Sequence, residues 1–135
     1  MYINLSPLTN AITRLTEGWT CYQSDIHDTQ IRDGLIQRFE LSYELSHKML
    51  KRYLESSSAN PDEFDQADFH YLIRSANEQG LLLGGWPQWR LYRDMRSKTS
   101  HTYDEMIALE VVNAIPDFLK EVQYLHQQLK QRISA

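Results

Sequence analysis

Apolar residues recur every three or four positions along almost the whole chain, the spacing that gathers them on one face of an α-helix. Leu8, Ile12, Leu15 and Trp19 form the first such stripe. The pattern predicts a helix starting at Ser6, with Ser6 as N-cap and Pro7 at the first helical position, where a missing N–H costs nothing. Residues 29–55 carry two adjacent stripes, Ile31, Leu35, Phe39, Leu45 and Met49 beside Ile36, Tyr43, Leu50 and Leu54. So broad an apolar face is expected of a helix that touches two neighbours in a bundle.

The run Ser56-Ser57-Ser58-Ala59-Asn60-Pro61 ends that helix, and Asn60 followed by Pro61 caps the next one. A third helix then reaches Gln79 and is closed by Gly80 at C′. Trp86-Pro87 opens a fourth, carrying Trp89, Leu91, Tyr92 and Met95. Residues 99–102 read Thr-Ser-His-Thr, poor helix-forming chemistry that predicts a break. Thr102 and Glu105 have the spacing of a capping box, which places the start of the last helix there. Its stripe is Ile107, Val111, Ala114, Phe118, Val122, Leu125 and Leu129, and Pro116 inside it predicts a kink rather than a stop. The expected fold is all-α, an antiparallel up-and-down bundle of four to five helices with the last kinked near Pro116, in one domain spanning residues 1–135.

Composition narrows the possibilities. Of 135 residues, 14 are Lys or Arg and 18 are Asp or Glu, a net charge of −4 that does not advertise a nucleic-acid partner. The single cysteine, Cys21, excludes an intrachain disulfide framework and a multi-cysteine metal site, and fits a reducing cytoplasm. The segment MYINLSPLTN has neither the basic nor the apolar region of a secretory signal, and no apolar run approaches the roughly 20 residues of a membrane span.

The local charge tells a different story. Residues 90–98 hold Arg90, Arg93, Arg96 and Lys98 against Asp94 alone, a patch of +3 on an acidic chain. Such a patch is compatible with an ordinary solvated face bearing ion pairs. Arg96 and His101, however, flank the predicted break. On one unbroken helix two residues five apart point about 140° away from each other, so only a break lets them converge on one ligand. His101 would then precede a helix N-terminus, whose free N–H groups favour a phosphate. Arginine is a permanently charged phosphate ligand and histidine titrates near neutrality. The pair is a minimal kit for phosphodiester cleavage without a metal, His101 moving a proton and Arg96 stabilising charge on the phosphate oxygens.

The run R-S-K-T-S-H-T-Y at 96–103 resembles the R-x4-H-x-Y motif of HEPN-domain proteins. The branch it resembles is that of the nucleotidyltransferase substrate-binding proteins, also described as HepT toxins of HEPN/MNT toxin–antitoxin modules. Residues 32–55 resemble that branch's long second helix and residues 100–105 the start of its last one, so the likeness covers nearly the whole chain. It implies a homodimeric helical bundle whose Arg and His motifs meet between subunits as a ribonuclease site, acting on RNA with no cofactor. It also implies a partner, a minimal nucleotidyltransferase antitoxin that transfers AMP to the motif tyrosine. Carried over by position, Arg96 and His101 are the catalytic pair and Tyr103 the AMP acceptor. The basic patch itself, not the resemblance, adds Arg90, Arg93 and Lys98, with Ser97 as a hydrogen-bonding neighbour, as the expected RNA-phosphate-binding residues. The sequence departs from the branch at Ser97, where Asn or Asp is frequent, and at His47, where tryptophan is frequent. It also lacks the Gly-Ser and Asp-x-Asp motifs of a nucleotidyltransferase, so any nucleotide transfer belongs to another protein.

His27, His47, His70 and His126 lack the paired spacing of a metal site and are expected at surface or capping positions. Cys21 is expected to be an inert, partly buried thiol. Trp86 and Trp89 fit the core, with a dimer or partner surface as the other possibility. Two other functions compete with the ribonuclease: a non-catalytic subunit presenting substrate or nucleotide to a partner transferase, and an oligomeric helical scaffold.

Overall fold

The structure, a computed structural model, describes residues 3–65 and 67–134. Five helices run α1 (Ser6–Ser24), α2 (Thr29–Ser57), α3 (Phe69–Glu78), α4 (Trp86–Lys98) and α5 (Glu105–Ser134), with 3-10 turns at Pro61–Phe64 and Thr99–His101. There is no strand among the described residues. The all-α bundle expected from the periodicity is what the chain forms. Only residues 25–28 join α1 to α2, and the two pack along each other as antiparallel neighbours. The broad face of α2 meets α1 on one side and α5, α3 and α4 on the other, as its paired stripes require.

Each helix end has a local cause, and three differ from expectation. At α1 the N-cap is Leu5, and Pro7 is the second helical residue. Asn4 Oδ1 accepts the Ser6 N–H at 3.0 Å, so a residue ahead of the helix satisfies one free N–H of its first turn. The third predicted helix is split. Pro61–Phe64 forms only a 3-10 turn, and the extended backbone of Asp68 lets its carboxylate accept the Tyr71 N–H at 2.8 Å and cap α3 afresh. At the start of α5 the cap is Asp104 rather than Thr102, because Asp104 Oδ1 accepts from Met106 and Ile107 while the Thr102 hydroxyl donates back to the Thr99 carbonyl.

Other ends follow the sequence. Asp28 Oδ1 caps α2 through Gln30 and Ile31. Gly80 sits at φ +75°, its own N–H donating to Asn77 O and the Leu81 N–H to Ala76 O, the pair of hydrogen bonds that closes a helix through a left-handed residue. α5 continues through Pro116 without losing phase, burying Val111, Ile115, Phe118, Val122, Leu125 and Leu129 completely.

The core is centred on aromatic rings from three helices. Phe39 of α2 meets Phe118 of α5 edge-on at 5.0 Å, and Tyr92 and Trp89 of α4 close around Phe118 at 5.3 and 6.2 Å. Edge-on geometry suits the ring quadrupoles and adds to the area each ring removes from water. Trp89 is fully buried, whereas Leu91, grouped with it in the sequence pattern, is 47% exposed. α4 is thereby anchored by one side only, leaving its basic face outside. The loop leading into α4 is fixed from the opposite helix: the buried Glu121 carboxylate accepts the N–H groups of Leu83 and Gly84, both at 2.7 Å. Gly84 permits this approach, since a Cβ there would come within 3.0 Å of Glu121 Oε1. Burial pushes the Glu121 carboxyl up, against the opposing effect of those two N–H groups.

Candidate functional site

The junction between α4 and α5 is built by hydroxyl groups that turn back on the backbone. Thr99 Oγ1 donates to the Arg96 carbonyl at 2.7 Å, Ser100 Oγ to Ser97 at 3.3 Å and Thr102 Oγ1 to Thr99 at 3.3 Å. Such short back-bonds compete with the α-helical ladder and tighten the chain into the 3-10 turn Thr99–His101. The predicted break is therefore present, and it separates Arg96, in the last turn of α4, from His101, at the end of the 3-10 turn.

The two motif side chains are engaged differently. Arg96 is partly buried against α2. Its Nε and Nη2 donate to Glu44 Oε1, its Nη1 donates to Thr99 Oγ1 at 3.1 Å, and Glu40 Oε2 lies 3.7 Å from Nη1. The Glu44 bond outweighs the cost of partial burial and raises the already high pKa of the guanidinium. His101 is exposed, and its Nδ1 is 3.4 Å from the hydroxyl of Tyr103, which is itself 85% exposed.

The junction is held from below by Arg32, a charged side chain of α2 that is buried. Its Nη1 and Nη2 donate to the two oxygens of Glu105, the first residue of α5, at 2.7 and 3.0 Å. This bidentate pair lowers the Glu105 pKa and ties the α5 start to α2. Beside it lies a 370 Å³ cavity lined by Tyr22, Ile26, His27, Thr29, Arg32, Glu105 and Leu109.

The remaining predicted site residues divide. Lys98 is neutralised by Glu110 at 2.5 Å, and Ser97 Oγ donates to the Arg93 carbonyl at 3.2 Å. Arg90 and Arg93 have no ion pair among the described residues, and Arg93 instead lies over the Trp86 ring. Burial pushes the Tyr43 hydroxyl, which faces Arg93 and Arg96, up to about 12. Of the four histidines outside the motif, His47 meets Phe69 edge-on at 4.8 Å, His70 stacks on Trp86, His126 Nε2 lies 2.7 Å from Thr9 Oγ1, and His27 lines the cavity beside Arg32. Cys21 is exposed, contrary to the expected partial burial, because it lies on the outer face of α1. No group of three His, Cys, Asp or Glu that could hold a metal ion occurs among the described residues. No helix among them is long and apolar enough to cross a membrane.

Sequence reasoning missed Glu40 and Glu44 as partners of Arg96, and Arg32 with Glu105. The spacing of Glu40 and Glu44, four apart on the polar side of α2, was the available signal. What it could not convey is which helix packs alongside.

Comparison with known proteins agrees with this architecture. Residues 3–131 match the family described as nucleotidyltransferase substrate binding protein like. A probable ribonuclease HepT of Haemophilus influenzae is 43% identical over 114 residues, which cover 84% of this chain and 77% of that protein. A solved structure from Haemophilus influenzae, described as revealing the fold of a substrate binding domain of a nucleotidyltransferase, superposes with a TM-score of 0.88. It is 37% identical and covers 94% of this chain and 99% of its own. A crystal structure from Thermus thermophilus gives 0.71 at 30% identity, covering 90% and 98%. The chain belongs to the nucleotidyltransferase substrate-binding-protein-like family, the HepT-like branch of the HEPN-domain proteins.

Proposed function

We propose that the protein is a metal-independent endoribonuclease toxin, a single HEPN-like domain acting as a homodimer in the cytoplasm and neutralised by a partner nucleotidyltransferase that transfers AMP to Tyr103. The observation that carries this reading is the α4–α5 junction, where a 3-10 turn sets Arg96 and His101 on either side of a backbone break and brings the Tyr103 hydroxyl to the imidazole. The likeness to a probable ribonuclease HepT supports it.

In the cleavage step His101 takes the proton of an RNA 2′-hydroxyl. The freed oxygen attacks the adjacent phosphorus, the bond to the 5′-oxygen breaks, and that leaving oxygen gains a proton from an imidazolium. Arg96 stabilises the charge that develops on the non-bridging oxygens. One imidazole cannot be base and acid in the same instant, so two copies, each giving one Arg96–His101 pair, complete the site. Leu41, 51% exposed on α2 and three residues before Glu44, supplies apolar surface for that second copy beside Arg96. Arg90, Arg93, Ser97 and Lys98 hold flanking phosphates, and Lys98 and Arg96 must exchange their carboxylate partners for RNA to do so. AMP on Tyr103 adds bulk and negative charge two residues from His101 and repels an incoming phosphate.

A second reading, a non-catalytic subunit that presents substrate or nucleotide to the transferase, is favoured by the engagement of Arg96 with Glu44, Glu40 and Thr99. Cleavage of RNA by the purified protein, lost in His101→Ala, decides between them.

A further inference from the structure

At the start of α4, the half-buried Trp86 carries a ring stack that the Arg96–His101 chemistry does not use. The His70 imidazole, exposed on α3, lies over Trp86 with centroids 4.5 Å apart and planes 20° apart. It is the only parallel stack among the described aromatic pairs; those of the core are tilted or edge-on. The Arg93 guanidinium carbon is 5.0 Å from the centroid of the same Trp86 ring. Trp86, Arg90, Arg93 and Ser97 follow one another at spacings of four, three and four, so they form a single stripe on α4. That stripe ends beside Arg96, about 15 Å along the axis from Trp86 at 1.5 Å per residue.

The charges on α4 are unequal in a telling way. Glu44 and Glu40 neutralise Arg96, and Glu110 neutralises Lys98. Arg90 and Arg93 have no such partner among the described residues, so the uncompensated positive charge of the helix lies between the motif and the ring stack. The segment that leads into α3 is acidic in sequence, with Asp62, Glu63, Asp65 and Asp68.

We propose that His70, Trp86 and Arg93 form a subsite for one unpaired nucleobase of single-stranded RNA, with Arg90 and Arg93 carrying the phosphates between that base and Arg96. This rests on the ribonuclease reading and adds a second recognition point to it. Imidazole and guanidinium planes are surfaces on which unpaired bases stack, and stacking tolerates any base because every base has a π-face. Trp86, fixed by its edge-on contact with Phe69 at 5.8 Å, holds the imidazole flat, and the base lies on the imidazole's outer face.

The test measures binding of a fluorescein-labelled eight-nucleotide RNA to the full-length His101→Ala protein, which keeps the probe intact. Adding His70→Ala should weaken binding about tenfold, and His70→Phe should restore it. Moving one abasic position along the probe should reproduce the loss at a single position, with no further loss in the His70→Ala protein. Arg93→Gln should weaken binding and reduce the salt slope by about one. Binding within twofold of the parent after His70→Ala, or an abasic penalty that persists undiminished in that variant, overturns the subsite. So does a His70→Ala protein whose oligomeric state changes while its RNA affinity does not, which would make the stack a protein contact. If wild-type protein cleaves RNA and these results fail, only the subsite falls; if neither protein binds RNA, the ribonuclease reading falls with it.

Discussion

The Tyr103 hydroxyl lies 3.4 Å from His101 Nδ1, the two rings meeting edge-on with centroids 6.0 Å apart. The candidate acceptor of AMP and the candidate proton carrier are thus neighbours on one exposed turn. A group attached to the Tyr103 oxygen cannot avoid the imidazole's surroundings. The contact is long for a hydrogen bond between an O–H and a nitrogen, so the tyrosine is not required to hold the histidine.

Tyr103→Phe should therefore leave RNA cleavage within about twofold of wild type while abolishing control by the partner. Co-expression with the transferase and intact-mass measurement should show added AMP units on wild type and none on the variant. AMP addition persisting on Tyr103→Phe would move the acceptor elsewhere.

Arg96 donates to Glu44 from two of its nitrogens, so an RNA phosphate has to compete with that carboxylate. Removing one negative charge about 4 Å from a bound phosphate is worth on the order of 1 kcal/mol in a watery setting. Glu44→Gln should accordingly tighten RNA binding by about fivefold, measured by anisotropy at fixed salt on the His101→Ala protein. Weaker binding would instead show that Glu44 holds Arg96 in its working position.

Glu105 anchors the start of α5 through the buried Arg32, and losing the carboxylate leaves that guanidinium without its charge partner. Glu105→Gln should lower the melting temperature more than Glu110→Gln, whose partner Lys98 is far more exposed. The pair holds the Glu105 pKa down, so its contribution is present above the unfolded carboxylate range and disappears as pH falls through the lowered value. Equal melting shifts for the two variants would remove Arg32–Glu105 from this role.

Burial between Tyr43 and Phe69, with Lys51 adding repulsion, lowers the His47 pKa. The unfolded chain takes up a proton near pH 6.5 that the folded protein resists, so stability should fall as pH drops through that region. Burial and then Lys130 act on His126 in the same direction. Melting temperatures between pH 7.5 and 5.5 should decline in wild type and decline less in His47→Phe. An unchanged slope would exclude His47 as a contributor.

The helical periodicity made the bundle legible because one apolar face per helix is a local property: Val111, Phe118 and Leu129 announce their burial by spacing alone. The break at Thr99–His101 was equally legible, since Ser and Thr carry their competing hydrogen bonds with them. Helix starts were less so. Ser6, Thr102 and Asp104 all have capping chemistry, and the backbone angle that selects among such neighbours is settled by packing. Across helices the sequence fell silent: nothing in residues 40–44 shows that α2 lies beside the end of α4, yet that proximity decides how Arg96 is held. The net charge of −4 likewise gave no hint that positive charge survives uncompensated at Arg90 and Arg93.

The central claim stands or falls on RNA cleavage by purified wild-type protein beside His101→Ala and Arg96→Ala, all in excess EDTA. Wild type should cut RNA despite the chelator, and each variant, folded by circular dichroism, should be slower by about 100-fold or more. Cleavage that persists in both variants, or that vanishes from wild type when EDTA is added, would contradict it.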